Sequence, residues 1–185
     1  MSDLYNPTIF WSHNKSQFLD TKQCKVFDCS FSDLIKMGLF RFSKDGVSMM
    51  PEANLYVRDA LGWANIYKMK ILFPKDINFK PVLIKTEYHK IIVADSILIP
   101  VYTNNIFRGF HGEIKYEHSL KSLSEVDLID NLMVFNYSYE ADKICKLEKI
   151  YKIEMLEKSN YISDFWVSIE TMTNFINVNG IQLHI

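Results

Sequence analysis

Ser168-Ile169-Glu170-Thr171-Met172-Thr173-Asn174-Phe175-Ile176-Asn177-Val178-Asn179-Gly180-Ile181-Gln182-Leu183-His184 ends one residue before the last, Ile185. Its reading decides the fold. Asn179-Gly180 sits between two short runs, Phe175–Val178 and Ile181–His184. Asn-Gly is the strongest short-range hairpin signal, because both central residues of the tight turn need positive φ. Phe165 to Glu170 reads as one more strand before it. The end of the chain is therefore three strands closed by a tight hairpin.

The same grammar extends upstream. Leu55-Tyr56-Val57, Trp63–Ile71, Val82–Thr86, Lys90–Ala94, Ile97–Tyr102, Leu132–Tyr137, Ile144–Leu156 and Phe165–Glu170 read as strands bounded by turn residues. Pro100 lacks a ladder donor and marks an edge or a bulge. Asp45-Gly46 is a second hairpin signal. Ser32–Phe40 reads as a short helix capped by Ser32 or Asp33, and Ser119–Ile129 as a helical turn or connector. Thr103–Gly112 reads as a loop. Met1–Gln23 has no clear period and reads as an N-terminal arm, leaving one domain over 24–185. Many short strands with little helix imply an all-β sandwich or barrel.

Composition agrees. The 185 residues are 48% hydrophobic, 23% charged and 14% aromatic, which suits a packed core and pleated surfaces. The net charge of −1, with both signs interleaved, argues against a nucleic-acid binder. No apolar run reaches membrane-spanning length. Three cysteines and the absence of a leader pattern imply synthesis in the cytoplasm. Cys24 and Cys29 lack the further ligands a metal site needs, so neither metal nor cofactor is expected.

The closing segment resembles the ending of inteins: a strand, Asn-Phe, a second strand, a glycine turn, and a hydrophobic pair before His-Asn. Cys24-Lys25-Val26-Phe27-Asp28-Cys29 resembles the intein opening. Asn54–Asp59 with Gly62–Ile66 resembles the second hairpin of the fold. Val93-Ala94-Asp95-Ser96-Ile97-Leu98-Ile99-Pro100-Val101 resembles the family segment Val-Thr-x-Asp-His-x-Ile-Pro-Val. The resemblance implies a Hint domain, the horseshoe fold of inteins and hedgehog autoprocessing domains.

It also implies where the chemistry would be. The family begins with an acyl shift onto a Cys or Ser side chain, assisted by proton-transfer groups. Cys24 and His184 match chemically essential positions. Ala94, Ile97 and Trp166 stand where the family has Thr, His and Asp, and Ile185 stands where it has a cyclising Asn. Losing groups that act as a unit removes most of the rate. The expectation is a non-catalytic structural or interaction protein whose partners are other proteins. The Lys-, Asn-, Ile- and Phe-rich composition, and the recurrence of small Hint relatives in bacterial viruses, extend that to a phage virion component. The alternative is residual self-cleavage at the Gln23–Cys24 bond. Phe10, Trp11, Phe18, Phe107 and Phe110 are the aromatic candidates for an interface.

Overall fold

Period-two alternation accounts for most elements. In Lys15–Asp20 the residues Ser16, Phe18 and Asp20 are buried while those between face outward; one face of the strand meets the core. The computed structural model describes residues 8–52, 54–59, 62–108, 114–136 and 144–185, and of 106–108, 114–115, 136 and 144–145 the backbone alone.

In chain order the strands are β1 (Phe10–Trp11), β2 (Lys15–Asp20), β3 (Lys25–Ser30), β4 (Phe40–Phe42), β5 (Ser48–Pro51), β6 (Leu55–Arg58), β7 (Trp63–Leu72) and β8 (Pro81–Thr86). They continue as β9 (Lys90–Ala94), β10 (Leu98–Arg108), β11 (Ile114–Ser122), β12 (Asn131–Asn136), β13 (Ile144–Met155), β14 (Trp166–Thr171), β15 (Phe175–Val178) and β16 (Ile181–His184). Among the described residues these form one antiparallel system, ordered β11-β10-β12-β13-β8-β9-β1-β14-β7-β6-β2-β3. β5 joins β7 and carries β4, while β16 joins β12 and carries β15. This is an all-β architecture.

β1 joins the two flanks. Phe10 pairs with Val93 of β9 on one side and Val167 of β14 on the other. The aromatic rings of Phe10 and Phe31 lie 4.7 Å apart, and those of Phe18 and Phe31 5.1 Å apart. All three are fully buried. Each such ring contributes about 1.5–3 kcal/mol of burial. Residues 10 to 20 are thus part of the sheet and its core. The boundary expected at Gln23 is corrected: it falls inside the β2–β3 hairpin, because the aromatic content of the leader is what the core consumes.

The short helix, α1 (Phe31–Lys36), is capped by Ser30, whose hydroxyl accepts from the Asp33 amide. The cap expected at Ser32 or Asp33 is displaced because Phe31 is already buried as the first helical residue. Thr103 to Arg108 is not loop but the second half of β10, paired to β11 after a register shift between Tyr102 and Ile106. Ser119 to Ser122 likewise belongs to β11. Pro100 sits opposite Leu120 in the β10–β11 ladder, and β12 reaches β10 only at Tyr102, so at the proline β10 has β11 on one side alone.

Candidate functional site

The end of β9, the start of β14 and the residues before β1 converge. The Ala94 amide donates to the Ile9 carbonyl at 2.9 Å, and the Ile97 amide to the Ala94 carbonyl at 3.2 Å. Trp166 lies opposite Trp11 on one side and Leu72 on the other. Ile9, Ala94, Trp166 and Phe79 form one buried apolar cluster. The Trp166 and Phe79 rings are 4.5 Å apart. Ile97, 1% exposed, lies in the main core. Neither Ala94 nor Ile97 can move a proton or polarise a carbonyl through its side chain. The Trp166 indole N–H is buried and has no hydrogen-bond partner among the described residues, but it can only donate.

The C-terminus approaches this cluster from β16. The Thr8 hydroxyl donates to the His184 carbonyl at 2.7 Å. The His184 ring is 5.3 Å from Phe175, which in turn meets His118 at 5.5 Å. Burial, then the neighbouring His118, lowers the His184 pKa, which favours a neutral imidazole. The Ile185 amide donates to the Asn174 carbonyl at 2.9 Å, and the Ile185 side chain packs against the main core. Thr8 is thus the hydroxyl that the fold brings to the end of the chain. Residue type gives no sign of it; only the depth at which β1 is buried does.

Cys24 is placed elsewhere. It closes the four-residue turn Thr21–Cys24 between β2 and β3, is exposed, and its Sγ faces the Thr21 carbonyl at 3.5 Å. Among the described residues no hydrogen bond or ion pair links it to His184. The expected opening match therefore falls on a hairpin turn, not on the strand that meets the C-terminus. Burial raises the Cys29 thiol to about 11, with Asp33 and Asp28 adding to it, so that sulfur stays protonated.

The interface candidates are corrected in part. Phe10 and Phe18 are core residues with no exposed surface. Trp11 is half-buried, donates from Nε1 to Asp164 at 2.9 Å, and meets Tyr161 edge-on at 5.5 Å. Phe110 lies outside the described residues, and of Phe107 only the backbone is described.

A polar cluster not anticipated from the sequence lies at the opposite end of β9. Glu148 is almost fully buried on β13. It accepts from the Thr86 hydroxyl at 2.6 Å and faces His89 Nδ1 at 3.0 Å. Burial opposes the charge on Glu148, but these partners outweigh it and hold the carboxyl below the usual range. The far edge of the His89 ring meets Gly180, where an added Cβ would come within 2.5 Å of Cδ2. Among the described residues no group of three or more His, Cys, Asp or Glu could hold a metal ion.

No protein-family profile and no curated protein matches the sequence. Solved structures do match the fold. An intein from a hyperthermophile superposes with a TM-score of 0.73 at 14% identity, covering 96% of this chain and 99% of that one. The transcription factor IIB Mvu mini-intein gives 0.68 at 12% identity, with 96% and 99% covered. The PabCDC21-1 intein gives 0.61 at 11%, with 95% and 97% covered. At such identities the likeness concerns the backbone, and it spans both chains from end to end. The chain carries the Hint fold found in inteins.

Proposed function

We propose that this chain is a non-catalytic structural or interaction protein built on the intein-type fold. One observation carries the reading. Ala94 and Trp166, two of the positions to which the sequence resemblance assigns proton-transfer work, share a buried apolar cluster with Ile9, and Ile97 is core. An acyl shift needs a base and a group to polarise the amide, in reach of the nucleophile. Apolar side chains supply neither. Ile185 has no side-chain amide to cyclise. We read the partners as other proteins, and the setting as a phage virion on the strength of composition; peptide mass mapping of purified virions from the source tests that part.

The competing reading is residual autoprocessing at Gln23–Cys24. In its favour, the Cys24 thiol is exposed and its backbone lies in the left-handed region at φ 51°. The intact mass of the purified chain, with and without dithiothreitol, separates the two. The proposal expects all 185 residues under both conditions. A thiol-dependent loss of the first 23 residues overturns it in favour of Cys24. Loss of the first seven overturns it in favour of the Thr8 hydroxyl.

A further inference from the structure

A cavity of about 520 Å³ opens between β8, β9 and the segment that follows β1. Its floor is one pleated face, on which Leu83 stands opposite Ile92 and Lys85 opposite Lys90. Trp11 and Tyr161 wall the end over the apolar pair, and Lys15 lines the other side. Along β8 and β9 the cavity floor thus passes from an aliphatic pair to a pair of lysines, with Lys15 also on its wall.

The lysine pair works against the sheet that carries it. Like charges directly opposite each other on neighbouring strands destabilise a sheet. Lys85 and Lys90 are such a pair, and Lys15 adds to it. Among the described residues none of the three ammonium groups has an ion-pair partner. Of the carboxylates nearby, Glu154 is held by Lys152 at 2.7 Å and feels Lys85 only at longer range, while Asp164 accepts from Trp11 and faces His13. No acidic side chain lines the cavity.

We propose that this pocket binds a phosphate monoester carried on a planar apolar body, of the kind a nucleoside monophosphate presents. Three point charges fit the near-dianionic phosphate monoester better than a single carboxylate. Carboxylate recognition favours the bidentate fork of Arg, which is absent, whereas Lys serves phosphate as a point charge. The ring-lined end takes the planar body, with Trp11 and Tyr161 supplying large contact area at low entropic cost. This site is independent of the self-processing question.

Titration of the full chain with adenosine monophosphate, followed by tryptophan emission and calorimetry, tests the proposal. The expected result is saturable binding, at least about tenfold tighter than for inorganic phosphate or adenosine alone. Lys85→Gln and Lys90→Gln each weaken it by about tenfold or more. The same substitutions, without ligand, raise Tm by about 1–3 °C by relieving the repulsion; that shift also confirms that the variants fold. Phenyl phosphate binding as tightly as the nucleotide supports the proposal, since the ring is then the recognised body. Absence of binding, equal binding of inorganic phosphate, or indifference to both substitutions overturns it.

Discussion

Two non-glycine residues share a backbone angle that L-residues avoid, and they share little else. Cys24 and Asn179 both have φ of 51°, both sit in hairpin turns, and both were singled out by one sequence resemblance. Cys24 ends an exposed turn whose polar order comes from Asp20, which accepts from the Lys22 and Gln23 amides. Asn179 is a junction. Its side chain accepts from the Lys15 amide and donates to Asn14 Oδ1 and the Lys90 carbonyl, and its own amide donates to the Lys15 carbonyl. Gly180 continues the link by accepting from the Phe135 amide at 2.8 Å. The first turn reaches the rest of the fold only through Thr21, whose amide and hydroxyl donate to the Asn54 carbonyl, whereas the left-handed residues of the second, Asn179 and Gly180, tie β2, β9 and β12 together themselves. What a turn residue does is set by its surroundings, and a motif match cannot see those.

The largest effect expected from this contrast is at Gly180. Its φ of 81° is strained for any side chain, and an added Cβ would meet the His89 ring at 2.5 and 2.7 Å. That ring cannot simply swing away, since Nδ1 is held by buried Glu148. Gly180→Ala should cost about 2–4 kcal/mol, combining left-handed strain with a displaced ring. Urea denaturation measures it. A loss below about 1 kcal/mol would mean that the hairpin is not docked as described, and the contrast with Cys24 would fail.

Much of this region was legible. Phe175–Val178 and Ile181–His184 were bounded correctly because Asn179-Gly180 fixes both turn and register. His89 as its neighbour was not, because contact between residues so far apart in sequence leaves no trace in local pattern. The start of the chain failed for a related reason. Cys24-Lys25-Val26 resembles an opening only if what precedes it is dispensable, yet Phe10 and Phe18 fill the core. Thr103 to Arg108 was read as the start of a loop because of the glycines that follow, Gly109 and Gly112, whereas pairing with β11 overrides propensity. Ala94, Ile97 and Trp166 were recognisable as departures from a pattern. That Ala94 and Trp166 close on Ile9 in one cluster needed coordinates.

The next effect isolates the junction itself. Asn179→Ala removes three side-chain hydrogen bonds and leaves a poor left-handed residue, at a cost of about 2 kcal/mol. Asn179→Gly restores the backbone freedom but not the bonds. If both variants lose the same stability, the bonds dominate; if glycine recovers all of it, Asn179 is merely a turn residue like Cys24.

Glu148 gives the comparison a pH axis. Its folded-state pKa lies below the ordinary Glu value of 4.5, held there against burial by Thr86 and His89. The unfolded chain then binds more protons in the acid range, so this contribution is complete above about 4.5 and is lost as pH falls through the folded value. Glu148→Gln should cost about 1–2 kcal/mol at neutral pH and flatten that acid limb. An unchanged limb would move its origin to other carboxylates.

The smallest effect is at Cys24, and its sign matters more than its size. Asn tolerates the left-handed region better than Cys, and the sulfur makes one long contact within its own turn. Cys24→Asn should therefore be neutral or stabilising by less than about 1 kcal/mol. Denaturation of this variant beside Asn179→Ala, in one buffer, places the two turns on one scale. A loss comparable to that at Asn179 would show that the β2–β3 turn carries structural weight absent from its hydrogen bonds. It would also supply a reason for a cysteine there other than chemistry. Neutrality at Cys24 together with a full-length intact mass would leave the thiol without either role, as the proposed non-catalytic reading requires.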